Sequence, residues 1–410
     1  MLHSIYGPKQ SVLKWYEQVC AMMSDLGFVR TKSDHVLFYY NSKDDITAGI
    51  TTLAVNTTCT KVKCLIGWHI DNGMGLWNSR PFLEKVKKRI VERFSIKDLG
   101  LVLEYLGVQF EWDRKTHQLW MHQGKYINFL LQEYGLSSYN PVCLPADPKM
   151  PFGEPSTSYP EVTNLRSSYL KLIGELIYLS INMRPNIAYI VNSLMQFNTD
   201  PSPCHFAAGK RVLQYLAGTL NHHLQYSAEM DNPALHTYAD ASWANEVGHR
   251  SMLGYAWFYT GGLISHDSKK QATVVLSSTE AESMVATYVI QEGLWLKSLF
   301  TELSLPFPAP INVYLNNTST IALSTAAKFC QCTKHIDIRY HFIREHVDNG
   351  TFRLIWLPTH KNIADMLIKP LPHPVFSKLS TAIGLVDSWS GYVRLILLSL
   401  SHYLPCNLIL

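Results

Sequence analysis

Residues 235–268 read LHTYADASWANEVGHRSMLGYAWFYTGGLISHDS, and the reading of this stretch decides the fold. LHTYADAS (235–242), GYAWFYTGG (254–262) and LISHDS (263–268) are short segments rich in aromatic and apolar residues, which predicts three successive strands. A helical pattern then runs from Ser278 to Leu303, with Ser278 or Thr279 as the expected cap. Met284, Tyr288, Trp295, Leu299 and Leu303 mark its expected buried side. INVYLNN (311–317) is a fourth strand, and a short helix follows Asn317. HIDIRYHFIREHVDNG (335–350) is a helix ended by Gly350, TFRLIWLP (351–358) a fifth strand, and KNIADMLIKPL (361–371) a short closing helix. Strands first, then helices alternating with strands, predict a mixed sheet with helices on its faces.

Upstream, residues 11–27 carry apolar groups at helical spacing (Trp15, Val19, Met22, Met23, Leu26) and stop at Gly27, before a strand at HVLFYY (35–40). RPFLEKVKKRIVERFSIK (80–97) holds seven basic and two acidic side chains. As a helix it puts Leu83, Val86, Ile90 and Phe94 on one face and its Lys and Arg groups outside, as a solvated face or a phosphate-contacting one. LEYLGVQFEWD and HQLWMHQ flank RKT (114–116) as a hairpin, and Tyr126–Tyr134 is a helix closed by Gly135. Prolines crowd 141–163, the best linker in the chain. Helices follow at about 166–181, 187–197 and 204–217.

A chain of 410 residues predicts two or three domains, and a net charge of +4 does not by itself argue for a nucleic-acid partner. Eight scattered cysteines and no signal-peptide pattern read as reduced thiols of an intracellular protein, cytoplasmic or nuclear and not secreted. Cys330, Cys332 and His335 offer three zinc-type ligands without a fourth at finger-like spacing. The tail YVRLILLSLSHYLPCNLIL (392–410) is apolar but interrupted by Arg394, His402 and Pro405, so it reads as an appendage and not a membrane anchor.

Three acids fall where elements begin or end: Asp240 on the first strand of the second half, Glu282 in the first turn of the long helix and Asp365 after THKN. Carboxylates converging from distant points are what two-metal phosphodiester hydrolysis requires, because paired cations need anionic oxygens to hold them. Taken singly, each of these acids reads first as a cap or a surface charge.

The segment from YADASWANEVGHRSMLGYAWFYTGGLISHDSKKQATVVLSSTEAESMVA (238–286) through VYLNNTSTIAL, TKHIDIRYHFIRE and ADMLIKPL resembles the ribonuclease H domain of copia-type retrotransposon Pol polyproteins. IYGPKQSVLKWYEQV, DLGLVLEYLGVQFEWD, YLKLIGELIYLSINMRPNIAYIVNSLMQF and AAGKRVLQYLAGT resemble the same family's reverse transcriptase from mid-palm onward, so the resemblance spans residues 2–386. It implies an α+β and α/β multidomain chain: a partial palm (1–122), helical thumb and connection (123–230), a ribonuclease H-like mixed five-stranded sheet with flanking helices (232–372), and a tail (373–410). The implied activities are RNA-directed DNA synthesis and hydrolysis of RNA in RNA/DNA hybrids, with two Mg²⁺ ions.

Carried over residue by residue, the ribonuclease H site falls on Asp240, Glu282 in preference to Glu280, Asn316 and Asp365, with Asp240, Glu282 and Asp365 as metal ligands. Asn316 stands where the family has an Asp, and Ser242 where it commonly has another. An amide keeps the volume and loses the charge, so metal binding and hydrolysis are expected to be weakened. The polymerase pair falls on Asp71 and Asn72 of HIDN (69–72), again with one acid replaced, and the family's upstream Asp has no counterpart after Met1. Polymerisation is therefore expected to be lost in this chain alone. Lys269, Lys270, Lys210 and Arg211 are candidates for nucleic-acid contact, and His360 for product release. The expected partners are RNA/DNA hybrid or DNA and the remainder of a polyprotein, with no membrane. An active ribonuclease H that tolerates Asn316, with Mn²⁺ in place of Mg²⁺, and a non-catalytic nucleic-acid-binding module are the alternatives.

Overall fold

The computed structural model describes residues 9–42, 62–94, 96–149, 164–227, 235–243, 250–305, 307, 309–325, 334–387 and 407–408. Cys330 and Cys332, the side chain of His335, the linker from 150 to 163 and nearly all of the apolar tail lie outside the described residues. The chain divides into two compact units, one of residues 1–105, 295–306 and 389–410, the other of residues 106–294 and 307–388.

In the first unit, helix α1 (Lys9–Asp25) precedes strands β1 (Leu37–Asn41), β2 (Lys63–His69) and β3 (Asn72–Trp77), an antiparallel meander, and helix α2 (Arg80–Arg93). Gly27, at φ +82, supplies the left-handed turn after α1 that a side chain disfavours. Val19, Met22 and Met23 of α1 meet Phe38, Ile66 and Trp68 of the sheet and Leu83, Val86 and Ile90 of α2 in one core. One basic residue departs from the expected solvated face of α2. Lys87 follows Leu83 by four residues and precedes Ile90 by three, so it shares their face; it is 6% exposed, with its ammonium 2.9 Å from Asp98.

The second unit begins with the expected hairpin, β4 (Val108–Asp113) and β5 (Gln118–His122), followed by α3 (Gly124–Glu133), which ends before Gly135 at φ +67. Helices α4 (Leu165–Asn182), α5 (Ala188–Met195) and α6 (Pro203–Gly218) pack through Leu172, Leu176, Ile190, Val212 and Leu216. Between α4 and α5, Arg184 of the NMRPN turn is 1% exposed; its guanidinium donates to the Thr219 carbonyl and hydroxyl and lies over the Tyr215 ring. Strand β6 (His222–Ser227) pairs antiparallel with β5.

Strands β7 (Leu235–Ala241), β8 (Met252–Tyr259) and β9 (Gly262–Lys270) run antiparallel; α7 (Ser278–Glu302), β10 (Ile311–Leu315), α8 (Thr318–Thr325), α9 (Lys334–Asp348) and β11 (Phe352–Trp356) follow. The sheet order is β9-β8-β7-β10-β11, with β10 parallel to both β7 and β11. The mixed five-stranded sheet with helices is thus present, and β7 is its central strand. Two short 3₁₀ turns, Thr359–Lys361 and Ile363–Leu367, precede α10 (His373–Ala382); the closing element expected as a helix is this tighter form. Strand β12 (Leu385–Asp387) then adds antiparallel to β6.

Two details of α7 differ from expectation. Its cap is Ser277, one residue earlier than Ser278: the Ser277 hydroxyl accepts the Glu280 N–H at 3.1 Å and its carbonyl accepts the Ala281 N–H. Its buried face is also rotated, running through Ala281, Val285, Val289, Leu296 and Phe300 with Met284, while Tyr288 and Trp295 are 37% and 41% exposed. The small residues explain the rotation. A Cβ on Gly293 would lie 2.7 Å from Phe352 and 2.8 Å from Trp257, so the helix approaches the sheet along this line and turns its larger aromatics outward.

Candidate active site

Asp240 sits at the C-terminal end of β7 and is 2% exposed. Tyr314 of β10 stands opposite Tyr238 of β7, and because these strands are parallel, two further residues along each bring Asn316 to Asp240. The Asn316 amide donates from Nδ2 to Asp240 Oδ1 at 3.1 Å and lies 3.5 Å from Thr359 Oγ1. Asp240 Oδ1 also accepts the Ala241 N–H at 2.9 Å, and the same N–H is 3.4 Å from Glu282 Oε1. Glu282 comes from the first turns of α7 and is 4% exposed. Its neighbour Glu280 is spent on the helix start, accepting the Leu276 N–H at 2.9 Å.

Asp365 arrives on the second 3₁₀ turn, which Asn362 pins in place. The Asn362 side chain is fully buried, donates to the Ala239 carbonyl of β7 at 2.9 Å and accepts the Ala364 N–H at 3.2 Å. Gly254, opposite Asp240 on β8, makes room for this turn: a Cβ there would lie 2.7 Å from Leu367 Cβ and 2.8 Å from Ile368 Cγ2. Lys369, one helical turn on, places Nζ 2.5 Å from Asp365 Oδ1.

Asp240, Glu282, Asn316 and Asp365 therefore come together from four elements at the C-terminal ends of the neighbouring strands β7 and β10. Burial, and then the nearby Asp365 carboxyl, push Asp240 up to about 7, against the opposing pull of the Lys369 ammonium. Burial and then Asp240 hold Glu282 well above the usual carboxylate range. Asp240 Oδ2 and Glu282 Oε2 are buried and have no hydrogen-bond partner among the described residues. Oxygens so placed favour a proton or a cation between them, and an all-oxygen donor set suits Mg²⁺ or Mn²⁺.

Ser242, also buried, has a structural task, its hydroxyl accepting the Met252 N–H at 3.0 Å. Lys269 is exposed on β9 with its ammonium 5.7 Å from the Tyr288 ring centre, whereas Lys270 donates to Gln196 Oε1 at 2.6 Å. Lys210 and Arg211 are half-buried on α6, Lys210 over the Phe206 ring. His360 is exposed beside Thr359. In the first unit, Asp71 and Asn72 form an exposed hairpin corner between β2 and β3, where Asn72 Nδ2 donates to Asp71 Oδ1 at 3.2 Å. Ile70 beside them has φ 55, a left-handed conformation that β-branched residues rarely adopt, and its carbonyl accepts the Trp15 indole N–H at 2.6 Å. Lys369 and Asn362 were missed by sequence reasoning. The signal available for Asn362 was its place three residues before Asp365 at the start of a turn.

Strand order β9-β8-β7-β10-β11, with acids delivered by the central strand, the first crossing helix and the closing turn, defines a ribonuclease H-like fold in the second unit. Residues 1–148 match the family model described as reverse transcriptase (RNA-dependent DNA polymerase). The Pol polyprotein of transposon TNT 1-94 from Nicotiana tabacum is 30% identical over 93% of this chain and 28% of that polyprotein. The Pol polyprotein of transposon RE1 from Arabidopsis thaliana is 33% identical over 93% of this chain and 24% of its own length. The chain belongs to the Pol polyprotein family of copia-type retrotransposons and spans about a quarter of the length of these relatives. Among solved structures, the N-terminal ribonuclease H domain of rv2228c from Mycobacterium tuberculosis aligns with 37% of this chain and 99% of that chain, at 10% identity and a TM-score of 0.26.

Proposed function

We infer that residues 232–372 form a ribonuclease H-type module that binds RNA/DNA hybrid and cleaves it weakly, in a chain whose polymerase half does not extend primers unaided. One observation carries this reading: Asn316 Nδ2 donates to Asp240 Oδ1 at 3.1 Å. An N–H turned toward a carboxylate occupies a lone pair that would otherwise face a cation, and turning the amide round sets two oxygens against each other. Asp240, Glu282 and Asp365 are the residues to hold divalent ions, Asp240 and Glu282 through their unpaired inner oxygens. Bound ions of this kind activate a water and stabilise the leaving oxygen of an in-line displacement. The protein's own contribution is to keep the three carboxyls buried and fixed: Asn362 locks the turn of Asp365, and the Ala241 N–H orients Asp240 with Glu282 beside it. With Asn316 in the fourth place, the site has one negative charge fewer than the family pattern described above, which supports weak affinity for a second ion.

For the polymerase half, the supporting observation is the hairpin corner itself, where Asp71 is exposed and its carboxylate is met by the Asn72 amide. Two neighbouring carboxylates are needed at such a corner to share metals over a triphosphate. The test is fluorescence anisotropy of a labelled RNA/DNA hybrid with the purified chain, run beside a gel assay for cleaved RNA in Mg²⁺. Salt-sensitive binding with slow cleavage that vanishes in Asp240→Asn is expected. Rapid cleavage by the unaltered chain, or no hybrid binding at low salt, contradicts the reading.

A further inference from the structure

Glu111, His122 and His223 converge on the antiparallel sheet of the second unit, away from the carboxylate cluster. Met121 of β5 pairs with Leu224 of β6, which sets His122 opposite His223. Gln109 of β4 pairs with His122, so Glu111, two residues along, projects from the same face. One ligand atom from each residue lies within 4.8 Å of the other two. His122 Nε2 is 3.3 Å from Glu111 Oε1, and the two imidazoles meet edge to face with centres 4.2 Å apart.

The two histidines are 9% and 4% exposed; His223 Nδ1 makes no hydrogen bond among the described residues, and the polar contact of His122 Nε2 is the 3.3 Å approach to Glu111. Leaving a buried ring nitrogen such as His223 Nδ1 unsatisfied costs on the order of 1–3 kcal/mol, so an arrangement that uses its lone pair beside His122 and Glu111 is favoured.

We propose that Glu111, His122 and His223 form a three-ligand site for a zinc-class divalent cation, with its fourth position open to solvent on the Glu111 side. Two nitrogen donors and one oxygen donor suit Zn²⁺, Co²⁺ or Ni²⁺ and disfavour Mg²⁺, which takes oxygen ligands. Tetrahedral ligands bound at 2.0–2.1 Å stand about 3.3 Å apart. That is the spacing already present between His122 Nε2 and Glu111 Oε1, and a small rotation of His223 closes the third side. The Glu111 side chain is 48% exposed, which gives an ion an entry path. One contact among the described residues opposes ligation: the Gly124 N–H lies 3.3 Å from His122 Nδ1, and ligation through Nε2 moves the ring proton to Nδ1. That contact is long, and Gly124 opens α3, where free amides are ordinarily satisfied by water. A bound ion would staple three strands of this sheet.

The chelator-treated full chain is titrated with Zn²⁺ against a chromophoric competitor, and separately with Co²⁺ while its absorption is followed. The expected result is one equivalent bound at this site, an intense tetrahedral Co²⁺ band without thiolate charge transfer, and affinity lowered at least tenfold in His122→Asn and in Glu111→Gln. Glu111 is half-exposed, so Glu111→Gln reports on ligation without endangering the fold, and circular dichroism checks the histidine variant. Asp240→Asn is expected to leave Zn²⁺ binding unchanged, which separates this site from the carboxylate cluster. Equal Zn²⁺ affinity in the unaltered chain and both variants, an octahedral or thiolate-type Co²⁺ spectrum, or no binding overturns the proposal.

Discussion

Replacing Asp240 with Asn is expected to stabilise the metal-free protein, and increasingly so as pH rises. Burial and the Asp365 carboxyl raise Asp240 from 3.8 to about 7 in the folded chain. Unfolded Asp ionises near its ordinary value, so between about pH 4 and pH 7 the native state binds the extra proton, and stability falls as pH rises through this window. The full difference converts to roughly 4 kcal/mol above pH 7. Because Asp240 and Glu282 raise one another and share the titration, part of this difference belongs to the pair and not to Asp240 alone, and about 2–4 kcal/mol is the expected range. Asn retains an oxygen at the position that accepts from Ala241 and Asn316, so neither hydrogen bond need be lost. Urea unfolding of both proteins in EDTA measures the difference: near zero at pH 4, rising to the full gain by pH 8. A variant less stable than the parent at pH 8, or an advantage that does not change with pH, would refute the electrostatic reasoning.

Other outcomes follow from neighbouring contacts. Gly254→Ala drives a methyl group against Leu367 and Ile368, so it is expected to cost about 1–3 kcal/mol by thermal or urea unfolding and to lower any hybrid cleavage by displacing the turn of Asp365. Lys269→Ala is expected to shallow the log–log salt dependence of hybrid binding by about one, whereas Lys270→Ala, whose ammonium is engaged by Gln196, changes the slope little; equal slopes for the two variants would contradict the distinction. Asp98→Ala strands the buried Lys87 ammonium and is expected to lower stability by about 1–3 kcal/mol, discounted for the half-exposed carboxylate.

Much of the second unit was legible because its strands are short runs of aromatic and apolar residues and several of its helices end near glycines. Gly135 and Gly350 mark turns that need positive φ, and the structure ends α3 and α9 just before them. Proximity of Asp240, Glu282, Asn316 and Asp365 followed from resemblance and not from spacing, since parallel pairing of β7 with β10 joins residues 76 positions apart. The buried side of α7 was misread because close approach was set by Ala281, Val285 and Gly293, while the large aromatics that dominate a hydrophobicity pattern turned outward. Lys87 was misread because a long aliphatic stem lets a charge sit on an apolar face when a carboxylate meets it. Cross-strand groups such as His122 and His223 leave no local signal, because only the register of β5 on β6 makes them neighbours.

Whether Asn316 weakens an otherwise assembled carboxylate site is decided by the rate of Mg²⁺-dependent RNA/DNA-hybrid cleavage by Asn316→Asp beside the unaltered chain. Restoring the carboxylate removes the amide N–H from Asp240 Oδ1 and adds a metal-binding oxygen. A rise in rate of tenfold or more is expected, equivalent to about 1.4 kcal/mol of barrier, lost again when Asp240→Asn is added. Equal rates for the unaltered chain and the Asn316→Asp variant, or a slower reaction after the substitution, would contradict it.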